Sequence, residues 1–169
     1  CLGMQEMNVS NGGTLKQDIP MEIYKKNNYE SILEMPINQQ HRNYLSKIND
    51  KWKDSTGIVF HTVKPLKISS NFLPSVASIH HQCVDSLGSD FKVTYLSNDE
   101  LVVEGIEHIN YKNVYGVQFH PEIADLYQNK TFKTPGDLNY KLDEQSLNFH
   151  KQFWTNFSER LNNQIKHEK

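Results

Sequence analysis

The chain has 169 residues, of which 37% are hydrophobic, 11% aromatic and 22% charged. This length suffices for one domain whose core needs no disulfide or metal to hold it together. The net charge of -2 and the pI near 6.5 argue against nucleic acid or an anionic membrane as partners. No apolar run approaches the roughly 20 residues that span a bilayer, and no secretory signal is recognisable. We therefore expect a cytoplasmic protein.

Hydrophobic patterning predicts helices at both ends of the chain and strands between them. Short helices are predicted over residues 4–10, 21–24 and 39–48. Runs rich in β-branched and aromatic residues predict strands over 57–63, 66–68, 76–80, 92–96, 101–106 and 114–119. Turn residues at 97–100 predict a hairpin, so part of the sheet should be antiparallel. Residues 124–145 are predicted to be a surface loop, and 146–165 an amphipathic helix on the sheet.

The cysteine and histidine spacings argue against a disulfide framework and against a metal site. Cys1 and Cys83 are the only cysteines, and neither lies in a Cys-x-x-Cys spacing. None of the eight histidines forms a pair four residues apart in a predicted helix. We therefore predict two free thiols, no metal and no cofactor.

The first feature with catalytic potential is the cysteine that opens the chain. Cys1 followed by a predicted helix corresponds to the second half of a nucleophile elbow, a sharp turn that presents a reactive side chain. The helix N-terminus would favour a thiolate and offer backbone N–H groups to an oxyanion. Gly3 would let this helix pack closely. The strand expected before such an elbow is absent, so Cys1 is also compatible with the end of a truncated chain.

The second feature is a histidine at the end of a predicted strand. Residues 114–119 deliver His120, Pro121 stops the strand, and Glu122 follows where it can orient the imidazole. Opposite a cysteine they would complete a Cys-His-Glu triad, in which His120 takes the thiol proton and Glu122 fixes its tautomer. Taken alone, the same residues could be an ordinary strand end.

The third feature is a pair of adjacent histidines, His80 and His81, after the strand predicted over 76–80. Successive strand side chains point to opposite faces, so only one of the two can face a given pocket. Strand geometry opposes their convergence on a metal ion. We interpret them as hydrogen-bonding or packing residues at a strand end.

Together these segments resemble the class I glutamine amidotransferase fold, and within it the γ-glutamyl-γ-aminobutyrate hydrolase-like branch. The resemblance rests on residues 1–5, 12–15, 17–19, 78–82 and 116–122. It implies an α/β fold, a flavodoxin-like open sheet with an antiparallel extension. Residues 1–169 would then be the C-terminal portion of a single glutamine amidotransferase type 1 domain, with its N-terminal part missing.

The resemblance also implies a role for each site residue. Cys1 would attack the carbonyl of a small γ-glutamyl amide, His120 would act as base and then acid, and Glu122 would complete the triad. A γ-glutamyl thioester would form and be released by water. The residues expected near the substrate are Leu2, as an oxyanion donor through its N–H, together with Gln5, His80, His81 and Gln82.

Family members carry a portion before the nucleophile that supplies the first strands and a second oxyanion donor. Its absence leaves three explanations: a fragment, a split or decaying gene, or a complementing N-terminal chain as partner. The protein is thus expected to be either a hydrolase, active in this form or once completed, or an inactive remnant. A third reading is an N-terminal-nucleophile hydrolase, whose α-amine is the base, so that His120 and Glu122 become dispensable. A homo-oligomer also remains open.

Overall fold

The computed structural model describes residues 1–44, 57–67, 72–126, 132–134 and 137–167. The helices are α1 (Leu2–Ser10), α2 (Ile19–Glu22), α3 (Tyr29–Leu33), α4 (Ile37–Gln40), α5 (Pro121–Leu126) and α6 (Glu144–His167). The strands are β1 (Leu15–Lys16), β2 (Val59–Pro65), β3 (Ser75–Ser78), β4 (Cys83–Val84), β5 (Phe91–Ser97), β6 (Val103–His108), β7 (Tyr115–Val117), β8 (Phe132–Thr134) and β9 (Asp137–Tyr140).

A five-stranded sheet of order β3-β2-β5-β6-β7 forms the centre of the fold. Every strand pair within the described ranges is antiparallel. The hairpin predicted at residues 97–100 is confirmed, because β5 and β6 pair across it and Glu100 has a left-handed φ of 63°. The mixed α/β class is confirmed as well, and the described strands form its antiparallel part.

The sheet curls, so that the segment after β7 at one edge reaches β3 at the other. The backbone N–H of His120 donates to the carbonyl oxygen of Ala77 on β3 at 2.9 Å. Phe119, only 1% exposed, packs with Val63 of β2 and Val76 of β3 inside this curl. The strand edge and the apolar side chain together fix the backbone that carries His120.

The C-terminal helix packs on the sheet, as its apolar periodicity predicted. In α6, Phe149 contacts Tyr95 with ring centroids 6.0 Å apart, and Phe153 contacts Tyr115 at 6.1 Å. The helix begins with a cap in which Asp143 Oδ1 accepts from the Ser146 N–H at 2.7 Å. In the part of the chain that the structure describes, no helix is both long enough and apolar enough to cross a membrane.

Two sequence predictions differ from the structure. The surface loop predicted over 124–145 is wrong, because α5 extends to Leu126 and the β8–β9 hairpin lies within that range. β7 already ends at Val117, and Pro121 begins α5, since proline suits the first turn of a helix. The helix predicted over 39–48 ends at Gln40, where His41 turns left-handed with a φ of 52°. Residues 45–48, 68, 127–131 and 135–136 of the predicted elements lie outside the described residues.

α1 packs closely against the sheet at Gly116 on β7. A Cβ there would lie 3.0 Å from Met4 Cβ, 3.1 Å from Met4 Cα and 2.5 Å from Met7 Cε. Met4 is 2% exposed and belongs to a core cluster on the inner side of α1. The expectation that Gly3 allows close packing is wrong for the described residues, because a Cβ on Gly3 would meet no atom within 4 Å.

Asn8 joins α1 to the two segments that cross beneath its C-terminal end. Its side chain is fully buried and Nδ2 donates to the carbonyl oxygens of Thr14 and Ser86, each at 3.1 Å. Its Oδ1 accepts from the Gly88 N–H at 2.8 Å. One amide thus bonds three backbone groups, of which the Gly88 N–H is buried, and sets the position of α1 against β1 and β4.

Gly116→Ala should reduce the free energy of unfolding by about 1–3 kcal/mol, because the added methyl group forces Met4 and α1 away from β7. Gly3→Ala adds the same methyl group to the same helix in open space. It should leave that free energy unchanged or raise it by up to about 1 kcal/mol. Urea denaturation of both variants checks the pair, and equal effects would contradict the packing described.

Asn8→Ala should reduce the free energy of unfolding by about 1–3 kcal/mol, because the buried Gly88 N–H loses its partner and the Thr14 and Ser86 carbonyl oxygens each lose one of two donors. Asn162→Ala on the exposed face of α6 is the matched control and should change it by less than about 0.5 kcal/mol. Thermal unfolding of both variants is the measurement. A small effect at Asn8 would mean that water replaces the amide without cost.

Candidate active site

β7 and the N-terminus of α1 together position Cys1. Cys1 is the N-cap residue of α1, and its backbone nitrogen donates to the carbonyl oxygen of Val117 at 2.9 Å. Gly116, one residue earlier, lets the first turns of α1 lie directly on the strand. The thiol therefore lies at a helix N-terminus, where the helix dipole favours a negative charge.

His120 and Glu122 form a hydrogen-bonded pair beyond the end of the same strand. His120 Nδ1 lies 2.6 Å from Glu122 Oε1, and the two side chains are 24% and 46% exposed. With Nδ1–H donating to the carboxylate, Nε2 keeps its lone pair and can accept a proton. Because the carboxylate is half exposed, it acts on the imidazole by orienting it more than by its charge.

Cys1, His120 and Glu122 line one cleft of about 300 Å³. Its remaining wall is largely aromatic and comes from β7, the segment after it and α6; the ring side chains are Tyr115, Phe119, Phe153, Trp154 and Phe157. The structure thus brings together the thiol and the imidazole–carboxylate pair that the sequence predicted to act together. An apolar wall beside a few polar groups is typical of a small-molecule site.

Gln118 is a polar residue at the site to which the sequence analysis gave no role. It is fully buried, and its Nε2 donates to Cys1 Sγ at 3.0 Å. Gln5 Nε2 in turn donates to Gln118 Oε1 at 3.2 Å and to the carbonyl oxygen of Gln82 at 3.3 Å. The available signal was a polar side chain inside an apolar strand, between Val117 and Phe119.

The other sequence-predicted residues are not among those that line the cleft, and they differ in exposure. Leu2 is exposed and occupies the first helical position of α1, where no intrahelical carbonyl accepts its N–H. Gln5 is 4% exposed and its amide is used internally. The partly exposed Gln82 donates to Gln17 Oε1 at 2.5 Å. Their substrate contacts stay predictions.

His80 and His81 contact different neighbours, although both lie beyond the end of β3 at Ser78, so the alternation of a strand does not apply to them. His81 is partly exposed and its Nδ1 lies 3.5 Å from Arg42 Nη1. His80 is buried, and its Nε2 lies 3.5 Å from Glu104 Oε1. His80 therefore converges with residues far away along the chain, which the local spacing of the histidines does not predict.

Those residues are His41, His61 and Glu104, which with His80 form a fully buried cluster. Burial lowers the pKa of His61 to about 4 and also lowers the pKa of His41, so both imidazoles are neutral at pH 7. The cluster combines three imidazoles with one carboxylate, a set of groups that can bind a metal ion.

Comparison with known proteins identifies the family. The Peptidase C26 family matches residues 1–122. A glutamine amidotransferase-like protein of Rickettsia prowazekii is 36% identical over 145 residues, covering 72% of this chain and 51% of that protein. Protein NtpR of Enterococcus hirae is 33% identical over 131 residues, covering 73% of this chain and 46% of NtpR. The carbamoyl phosphate synthase small chain of Listeria innocua is 33% identical over 87 residues, covering 50% of this chain and 21% of that protein.

The chain spans about half the length of the first two relatives. The matched span includes Cys1, the segment 80–82 and the segment 120–122, which carried the resemblance in the sequence. The fold class and the family match agree with each other. The chain belongs to the Peptidase C26 family, which is class I glutamine amidotransferase-like.

Proposed function

We propose that the protein hydrolyses small γ-glutamyl amides, with Cys1 as nucleophile, His120 as general base and acid, and Glu122 as the residue that orients His120. One observation carries this proposal: Cys1 shares a single cleft with a His120–Glu122 pair whose Nδ1 and Oε1 atoms are 2.6 Å apart. A nucleophile, a base and a group that orients the base are the components of a catalytic triad.

The reaction would run in two steps. His120 Nε2 takes the thiol proton while Cys1 Sγ bonds to the amide carbonyl carbon, and the carbonyl becomes an oxyanion. The oxyanion collapses, the C–N bond breaks, and His120 gives its proton to the departing amine. Water then attacks the thioester with His120 again as base, which releases the γ-carboxyl product and restores the thiol.

The surroundings of the two thiols support Cys1 as the nucleophile. Cys1 is partly exposed at the cleft, at a helix N-terminus, and accepts a hydrogen bond from Gln118 Nε2. Cys83 is fully buried among apolar side chains, and burial raises the pKa of its thiol to about 12. A thiol with such a raised pKa is not a nucleophile at neutral pH.

The residues proposed to act on the substrate fall into two groups, exposed residues that would contact it and buried residues that would act through their neighbours. Leu2 fits an oxyanion donor, because it is exposed and its N–H lies in the first turn of α1. His81 and Gln82 are partly exposed and fit direct contact with the γ-glutamyl group. Gln5 and His80 are 4% and 2% exposed, so their contribution would pass through Gln82 and Gln118.

The wider context of the activity is also a proposal. Residues 1–169 would be the C-terminal portion of a single glutamine amidotransferase type 1 domain, acting in the cytoplasm without nucleic acid or membrane. A preceding segment of the same protein, or a complementing N-terminal chain, would supply the second oxyanion donor. The thiol chemistry itself needs no cofactor.

The test is hydrolysis of a γ-glutamyl anilide by the protein at its natural full length. Cys1→Ser and His120→Ala should each lower kcat/KM by about 10³-fold or more, and Glu122→Gln by about 10–100-fold. Cys83→Ala and His108→Ala are the matched controls and should keep the unaltered rate. His108 is a partly exposed histidine of β6 outside the cleft.

Two results would contradict the proposal. If the folded, unaltered protein has no activity on any γ-glutamyl amide, the remnant reading stands. If His120→Ala keeps its activity while Cys1→Ser loses it, the base is the α-amine and the mechanism is that of an N-terminal-nucleophile hydrolase.

A further inference from the structure

Four buried side chains from four separate segments converge behind the cleft. His41 follows α4, His61 lies on β2, His80 follows β3, and Glu104 lies on β6. Their side chains are 0%, 1%, 1% and 0% exposed. One nitrogen or oxygen of each lies within 4.8 Å of those of the other three. The buried polar atoms of such a cluster need bonding partners, because burying polar groups without partners is costly.

Hydrogen bonds among the described residues do not supply these partners. No conventional hydrogen bond reaches Nε2 of His61, Nε2 of His80, either ring nitrogen of His41, or either carboxylate oxygen of Glu104. All these atoms are buried. Native proteins leave few buried polar atoms unsatisfied, and here six of them are concentrated at one point.

In His61 and His80, the ring nitrogen that faces away from the cluster is hydrogen-bonded as it commonly is in metal-binding histidines. His61 Nδ1 lies 3.2 Å from the Thr62 carbonyl oxygen, and His80 Nδ1 lies 2.9 Å from that of Gln82. A carbonyl oxygen can only accept, so each Nδ1 carries the proton and each Nε2 presents a lone pair to the cluster. Imidazoles that bind metals commonly donate their other N–H to a carbonyl in this way.

The spacing of the inner atoms fits a small tetrahedral ion. Ligands about 2.0–2.1 Å from Zn²⁺ in tetrahedral geometry lie about 3.3–3.4 Å from one another. Glu104 Oε1 lies 3.1 Å from His41 Nδ1, 3.6 Å from His61 Nε2 and 3.5 Å from His80 Nε2. The four ligand atoms all lie within 4.8 Å of one another, so the imidazoles would draw together by up to about 1.5 Å around a tetrahedral ion.

We propose that His41, His61, His80 and Glu104 form a structural Zn²⁺ site. Mg²⁺ and Ca²⁺ prefer oxygen ligands, which three imidazoles do not offer, and Cu²⁺ prefers a tetragonal arrangement. Four protein ligands close the coordination sphere of Zn²⁺, and their burial leaves no position open to substrate. The site is therefore structural, and it stands independently of the proposed hydrolase activity.

The zinc ion would tie α4, β2, β3 and β6 together directly behind the catalytic cleft. The Gln82 carbonyl oxygen that accepts from His80 Nδ1 also accepts from Gln5 Nε2 at 3.3 Å. Gln5 donates further to Gln118, which donates to Cys1 Sγ. The ion would thereby stiffen a hydrogen-bond chain that ends at the thiol.

The test measures zinc in the protein at its natural full length, purified without a histidine tag and washed with EDTA. Elemental analysis should find about one Zn²⁺ per chain. Removal by a stronger chelator should lower Tm by on the order of 10 °C, and added ZnCl₂ should restore it. Replacement by Co²⁺ should give visible bands of a four-coordinate ion without a thiolate charge-transfer band, which separates this cluster from binding at Cys1.

Variants locate the ion. His61→Gln should lose the zinc, whereas His108→Gln, which alters a histidine of β6 outside the cluster, should keep it. Cys1→Ser should also keep it, although it would abolish the proposed hydrolysis, so the two proposals fail separately. If His61→Gln does not fold, the Co²⁺ spectrum of the unaltered protein decides.

Zinc that is substoichiometric, removed by EDTA and without effect on Tm would overturn the proposal. The cluster would then be a metal-free group of imidazoles around a carboxylate. Loss of zinc in Cys1→Ser would also overturn it, because the ion would then lie in the cleft.

Discussion

The contact between α1 and β7 is the constraint on which the rest of the site depends. α1 rests on the strand only because residue 116 has no side chain to separate Met4 from the backbone. The contact holds Cys1 against Val117, and the chain then continues through Gln118 to His120. β7 and the three residues after it thus carry the contacts that position the Cys1 thiol, its hydrogen-bond donor Gln118 and the candidate base His120. A small shift of α1 would alter the distances between them.

The interior that connects β7 with the buried cluster contains several polar side chains. The Gln82 carbonyl oxygen accepts from Gln5 on the side of the cleft and from His80 on the side of the buried cluster. Buried polar groups are stabilising only when each has its partners, and they then permit one arrangement of the core. The network from Cys1 to Gln82 meets that condition with protein atoms alone. The cluster around Glu104 meets it only with an additional partner, which is why a metal ion is inferred there.

Sequence patterns predicted the elements that follow from local chemistry. The hairpin at 97–100 and helix α6 were predictable because turn residues and apolar periodicity act within a few residues. Helix α5 was missed because Pro121 was taken only as the end of a strand. Gln118 and the cluster of His41, His61, His80 and Glu104 were missed for another reason. Their partners lie tens of residues away along the chain, and only the tertiary packing of helices and strands brings them together.

Trapping of a covalent intermediate tests the central claim most directly, that Cys1 is the nucleophile held by α1 and β7. The natural full-length protein would be quenched with acid during turnover of a γ-glutamyl anilide and analysed by intact mass and peptide mapping. We expect one added γ-glutamyl group, located on Cys1 and absent from Cys1→Ser. Turnover without any adduct on Cys1, or with an adduct on another residue, would contradict the account.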